Sequence, residues 1–168
     1  GISATIAREE IWQPIEDPQT PFAAGHTMNQ NPVSCAGALA SLQYVSDHDL
    51  VSNSRQVGTY LLERLNELVD EFEIVGDARG KGLMCGFEFV KDKATKEPFD
   101  PALNVSGRYQ AACFERGVVV YMCTGCVEGV AGDMILVTPP LTITAEQVDE
   151  MMEPMKDALS ALQAELLG

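Results

Sequence analysis

The chain has 168 residues, of which 46% are hydrophobic, which is enough apolar material for a folded core and too much for a disordered segment. Its 11 basic residues face 25 acidic ones, a formal net charge of −14, and this excludes nucleic acid and anionic membrane surfaces as partners, since both need a basic excess. No apolar run approaches the roughly 18 residues of a membrane span, and the opening residues do not read as a signal peptide. Five cysteines, an odd number without framework spacing, point to reducing, cytoplasmic surroundings.

Residues 4–7 read as a short strand and residues 8–12 as a helical turn. Pro14, Pro18 and Pro21 then force an irregular run into a polar loop that carries Phe22, Ala23, Ala24, Gly25, His26 and Thr27. Asn31 is a suitable N-cap and Pro32 suits the first helical position, so a helix is expected from residue 32 to about residue 45. Ser34, Cys35, Ala36, Gly37, Ala38 and Ala40 are nearly all small and allow this helix to approach another surface closely. A helix start presents unpaired N–H groups and a positive dipole end, which suits an anion, and the Thr27 hydroxyl just ahead of it can donate to a phosphate oxygen.

The segment Asp47, His48, Asp49 breaks this helix and caps the next. Leu50, Val57, Leu61, Leu65 and Leu68 fall on one face of the second helix, which is therefore assigned to packing. His48 reads as a capping or surface residue and not as a ligand. The glycines at 76, 80 and 82 read as a turn that enters a strand near 83–90, with Leu83, Cys85, Phe87 and Phe89 on one side and Met84, Gly86, Glu88 and Val90 on the other. They are not a dinucleotide fingerprint, because they precede a strand instead of opening a helix. Arg79 anchors either a carboxylate or a backbone carbonyl, a structural role being favoured. A helix over 106–116 with Gly117 just past its end, a buried strand over 118–122 and a last strand near 134–138 follow. Cys123 and Cys126 form a CxxC, which in other settings is redox-active or half a zinc site. Here it stands without a second pair or nearby histidine, so it is read as incidental or as part of a loop near a substrate channel, with no metal implied. Thr144 and Gln147 make a capping box for a final helix that buries Val148, Met152, Met155, Leu159, Leu162 and Leu166.

Three separated segments, in this order, resemble the class III aminotransferases, pyridoxal 5'-phosphate enzymes of fold type I. They are Gly25-His26-Thr27-x-x-x-Asn31-Pro32-Val33-x-x-Ala36, then Arg79-Gly80-x-Gly82-Leu83, then Pro139-Pro140-Leu141-x-Ile143-Thr144. The resemblance implies an α/β fold class, here an α+β small domain with a sheet of about three to four strands covered by helices and preceded by a long helical linker. It divides the chain into a remnant of the large cofactor domain with the motif loop (1–31), linking helices (32–70) and a C-terminal small domain (71–168). It implies that Thr27, with Gly25 and His26 shaping the loop, binds the cofactor phosphate, usually that of the neighbouring subunit of a homodimer. The substrates implied are an amine or amino acid and a keto acid.

The residues Gly1, Ile2 and Ser3 resemble those that follow the family's Schiff-base lysine, but the lysine itself and the turn after it are absent. The chain is therefore expected to be a truncated portion, inactive alone and without a catalytic residue of its own; an expression remnant is the other reading of these three residues. Lys81, Lys91, Lys93, Lys96 and Lys156 all sit in polar turns or on surface faces, where nothing lowers a lysine pKa for imine chemistry. Many members that act on amino acids carry an arginine shortly before the proline pair to hold the substrate carboxylate. Residues 124–138 contain neither arginine nor lysine, which favours an amine donor, or a carboxylate held from outside this chain. Decarboxylases and aminomutases of the same family share these motifs, and a non-catalytic binding or assembly domain is the reading from a different class.

Overall fold

The computed structural model describes residues 1–15, 19 and 25–168. Pro18, Pro21 and the loop residues Phe22, Ala23 and Ala24 lie outside the described residues. The chain forms two compact units, Gly1–His48 and Asp49–Gly168.

In the first unit residues 4–7 are not a strand. Among the described residues they pair with no neighbouring backbone, and an extended segment without a ladder partner is not a sheet element. Helix α1 (Glu9–Trp12) is a single turn that tightens into a 3-10 turn over Gln13–Ile15. Helix α2 (Pro32–Asp47) starts where the cap and proline predict, with Asn31 accepting from the backbone of Val33 and Ser34. It buries no residue, and Val33, Leu39, Leu42 and Tyr44 are exposed. Its small residues, among them Ser34, Gly37 and Ser41, share a groove of about 560 Å³ with the opening residues Gly1 to Ala4.

The second unit is built around helix α3 (Leu50–Glu71) and a sheet. The expected stripe is present: Leu50, Leu61, Leu65 and Leu68 are buried, and Gly58 is buried with them. Asp49 occupies the N-cap position in a left-handed conformation (φ 47°), but its side chain makes no capping bond, contrary to the expectation. Gly58 is where α3 touches the sheet edge, because a Cβ there would lie 2.2 Å from the Gly82 carbonyl carbon. Gly82 itself has φ +57°, a turn conformation that side chains rarely adopt.

The sheet has four strands in the order β1-β2-β4-β3, all neighbours antiparallel. Strand β1 (Val75–Lys81) occupies the stretch expected to be a turn. Its glycines lower strand propensity, and only its pairing with β2 (Met84–Phe89), Ala78 opposite Phe87 and Lys81 opposite Met84, makes it a strand. In β2 the predicted alternation places Cys85, Phe87 and Phe89 in the core and Met84 in solvent. Helix α4 (Val105–Glu115) matches the expected span, and Gly117 follows it at φ +83°. Its first turn is capped from across the fold, because Asp133 accepts from both the Ser106 N–H (3.0 Å) and the Ser106 hydroxyl (2.5 Å).

Strand β3 (Tyr121–Val127) begins three residues later than the expected strand at 118 and runs on through the CxxC. Residues 118–120 instead form the leg leaving α4, where the Val118 N–H reaches back to the Cys113 carbonyl. Strand β3 lies at the sheet edge and is not buried; it pairs only with β4 (Ala131–Val137). Helix α5 (Ala145–Leu167) carries both hydrogen bonds of the capping box and buries Val148, Met152, Met155, Leu159 and Leu162, with Leu166 partly covered. At the centre of the core Phe87, Phe89 and Tyr109 meet edge-to-face with ring centroids 5.4 to 5.6 Å apart, and the Tyr109 hydroxyl donates to the Met155 carbonyl at 3.1 Å.

Candidate functional site

Gly25, His26 and Thr27 lead into a turn over residues 27–30 immediately before α2, and all three are exposed. The Asn29 N–H donates to the His26 carbonyl at 2.9 Å and the Asn31 N–H to that of Met28 at 3.3 Å, so the backbone is closed around Thr27. Among the described residues the Thr27 hydroxyl has no partner. The helix start is less available than its sequence suggests. Pro32 has no N–H, Val33 and Ser34 both donate to Asn31 Oδ1 at 3.1 Å, and Cys35 donates to the Asn31 carbonyl at 2.9 Å. The donors expected for an anion are spent on the cap, and what remains is the hydroxyl of Thr27 and the end of the helix dipole.

The other singled-out residues are placed elsewhere. Arg79 is engaged by its own sheet, pairing with Glu88 and, at 2.5 Å, with Asp77. The hydrogen bond to Glu88, then that to Asp77, holds its guanidinium above the ordinary arginine value. It is thus an anchor for carboxylates of the fold. Cys123 is half-buried and Cys126 exposed on β3, where the register shifts between Thr124 and Val127. Burial first, and then the neighbouring Cys123, Glu88 and Asp133, push the Cys126 thiol up, away from the thiolate that redox chemistry uses. Among the described residues no group of three or more His, Cys, Asp or Glu side chains is arranged to hold a metal. His48 is exposed and packs against Tyr44, the ring centroids 4.1 Å apart and the planes tilted by 40°.

Four of the five lysines are occupied by the fold. Lys91 and Lys156 pair with Glu97 and Glu71 at 2.8 and 2.9 Å, while Lys93 and Lys96 donate to the carbonyls of Val69 and Gly76. Lys81 is exposed. The pairing with Glu97 holds Lys91 above its ordinary value, the opposite of what an amine nucleophile needs. The long-range contacts in which α3 and α5 share Asp149, by the Tyr60 hydroxyl at 2.7 Å and Arg64 at 3.1 Å, were not signalled by spacing in either helix.

Comparison with known proteins accounts for the turn and the sheet together. A model of the family described as aminotransferase class-III matches residues 1–159. An uncharacterized aminotransferase of Schizosaccharomyces pombe is 36% identical over 165 residues, covering 98% of this chain and 36% of that protein. A leucine/methionine racemase of Thermococcus litoralis is 33% identical, covering 99% of this chain and 34% of that protein. Among solved structures, a PLP-bound amine transaminase from an uncultivated Pseudomonas species superposes with a TM-score of 0.81 at 34% identity, over 92% of this chain and 34% of that one. The chain thus spans about a third of the length of the curated relatives it matches. With the motif turn before α2, the four-stranded antiparallel sheet and a family match over nearly its whole length, this chain belongs to the class III aminotransferases and has the fold of the C-terminal part of fold type I transaminases.

Proposed function

We propose that the chain is part of a transaminase that uses pyridoxal 5'-phosphate to move an amino group from an amine or amino acid to a keto acid. The observation that carries this reading is the Thr27 turn, an exposed hydroxyl without a partner among the described residues, held just ahead of a helix whose own donors are spent. A phosphate oxygen is a strong acceptor for such a hydroxyl. Among the described residues nothing lies within 4 Å of where a Cβ on Gly25 would stand, which favours the approach of a bulky anion to the backbone there. The His26 carbonyl, taken by Asn29, keeps the turn closed and Thr27 outward. These residues fit the phosphate group of the cofactor. When bound, that cofactor supplies an electron sink for the charge that develops on the donor carbon; this chain's part is to grip the phosphate.

The exposure of the turn favours a cofactor held by a neighbouring subunit, and therefore a homodimer. Every lysine is exposed, salt-bridged or bonded to backbone, so we expect no transamination by this chain alone. The lack of any basic residue in 124–138 favours an amine donor or a carboxylate held from outside the chain. The five free thiols favour the cytoplasm.

The test is to add pyridoxal phosphate, pass the protein through gel filtration and treat it with borohydride, while following sedimentation with and without the cofactor. The expected result is no covalently trapped cofactor, and association promoted by cofactor in the parent chain but not in Thr27→Ala. Cofactor trapped on any of the five lysines overturns the inactivity, and a monomer indifferent to cofactor overturns the role of Thr27 across a dimer. The similarity to the leucine/methionine racemase favours a second reading, inversion at the amino carbon. In a complete relative carrying these motifs, an inverted amino acid formed from a single enantiomer without a keto product decides for it.

A further inference from the structure

Most of the basic side chains of the second unit are committed. Arg64, Arg79, Lys91, Arg108 and Lys156 pair with carboxylates, and Lys93, Lys96 and Arg116 donate to backbone carbonyls. Among the described residues Arg55 and Lys81 do neither, and both line one cleft of about 500 Å³ between α3 and the turn that joins β1 to β2. Among the described residues no acidic side chain lines that cleft, in a protein whose net charge is −14. With 25 carboxylates in the chain, two cations left unpaired in the same cleft set up a local positive field against the sign of the whole molecule.

Gly58 and Gly82, which both line the cleft, approach so closely that a Cβ on Gly58 would lie 2.2 Å from the Gly82 carbonyl carbon. The two hydroxyls of the cleft differ. Thr59 Oγ1 already donates to the Arg55 carbonyl at 2.9 Å and can only accept, so it offers nothing to an anion. Ser54 Oγ accepts the Leu83 N–H at 3.2 Å, which fixes its position and leaves its own proton to donate. The lining thus offers three separate donor groups, a planar guanidinium fork, a point-charge ammonium and a hydroxyl. That suits the three terminal oxygens of a phosphoryl group better than the two coplanar oxygens of a carboxylate. The volume falls in the range of small-molecule sites, roughly 300–1,000 Å³, and exceeds what the phosphoryl group alone fills. Val51 and Leu62, also lining the cleft, provide apolar surface for the remainder.

We propose that the cleft between α3 and the β1–β2 turn is a phosphate-monoester site, in which Arg55, Lys81 and Ser54 hold the phosphoryl group and Val51 and Leu62 face the organic part. The site lies wholly in the second unit and does not depend on the Thr27 turn.

The experiment is an amide titration of the isotope-labelled chain with glycerol 3-phosphate, beside inorganic phosphate, succinate, and sodium chloride at matched ionic strength. Saturable shifts at Ser54, Gly80, Lys81 and Gly82 are expected with the ester, weaker binding with inorganic phosphate and succinate, and none with chloride. Arg55→Gln and Lys81→Gln should each weaken the ester by about tenfold. Both side chains are exposed, so the variants should keep the parent spectrum elsewhere. Unchanged affinity in both variants, or shifts reproduced by chloride, overturns the site. Shifts confined to residues 25–30 do so as well, while agreeing with the Thr27 reading, so the two proposals fail separately. Equal affinity for inorganic phosphate overturns the ester assignment.

Discussion

Helices α2 and α3 are neighbours in the chain and were made for different purposes. Helix α2 has 16 residues and buries none of them, whereas α3 has 22 and buries Leu50, Gly58, Leu61, Leu65 and Leu68. The cause is visible residue by residue. In α3 large apolar side chains recur at helical spacing and meet a sheet, so hydrophobic burial stabilises the helix. In α2 small residues dominate, its larger ones point in several directions, and its order rests on Asn31, Pro32 and backbone bonding. Buried apolar contact, and the stability it brings, is therefore concentrated in the second unit.

The comparison breaks most visibly at the core. Phe87→Ala removes a ring packed against Phe89 and Tyr109 and should cost about 3–5 kcal/mol in denaturant unfolding. A smaller loss would mean that the core around it closes up. Next is Gly58→Ala, whose Cβ would sit 2.2 Å from the Gly82 backbone. It should destabilise by about 1–3 kcal/mol, and a midpoint equal to the parent would show that α3 slides off the turn without penalty.

Capping substitutions sharpen the contrast. Asn31→Ala and Thr144→Ala each remove a cap seen in the structure and should cost about 1 kcal/mol. The first should raise hydrogen exchange only within α2, while the second should lower the unfolding midpoint of the whole second unit. Smallest is Leu39→Ala, at an exposed position of α2, expected within about 0.5 kcal/mol of the parent. A core-sized loss there would contradict the division between the two helices.

Much of this was legible before any coordinates. The cap at Asn31, the stripe of α3, the alternation of β2 and the capping box of α5 are local patterns, and each is realised where its residues stand. The misses share a cause. Strand β1 is glycine-rich and becomes a strand only through its partner, and β3 is displaced because residues 118–120 are used to leave α4. The Asp133 cap of α4 joins residues 27 apart in sequence, which no periodicity announces. In the site, the Gly25-His26-Thr27 motif was readable, but the consumption of the Val33 and Ser34 donors by Asn31 was visible only as geometry.

By itself the sequence determined the family, the faces of the long helices and the position of the motif turn, because each is encoded in residues close together along the chain. The tertiary structure decided which polar groups were already spent. It gave Arg79 to Asp77 and Glu88, closed the donors of α2, and left Arg55 and Lys81 in one cleft without a partner among the described residues. Whether a charge or a donor is free depends on what folding brings to it from distant positions, and that neighbour is not written beside it in the chain.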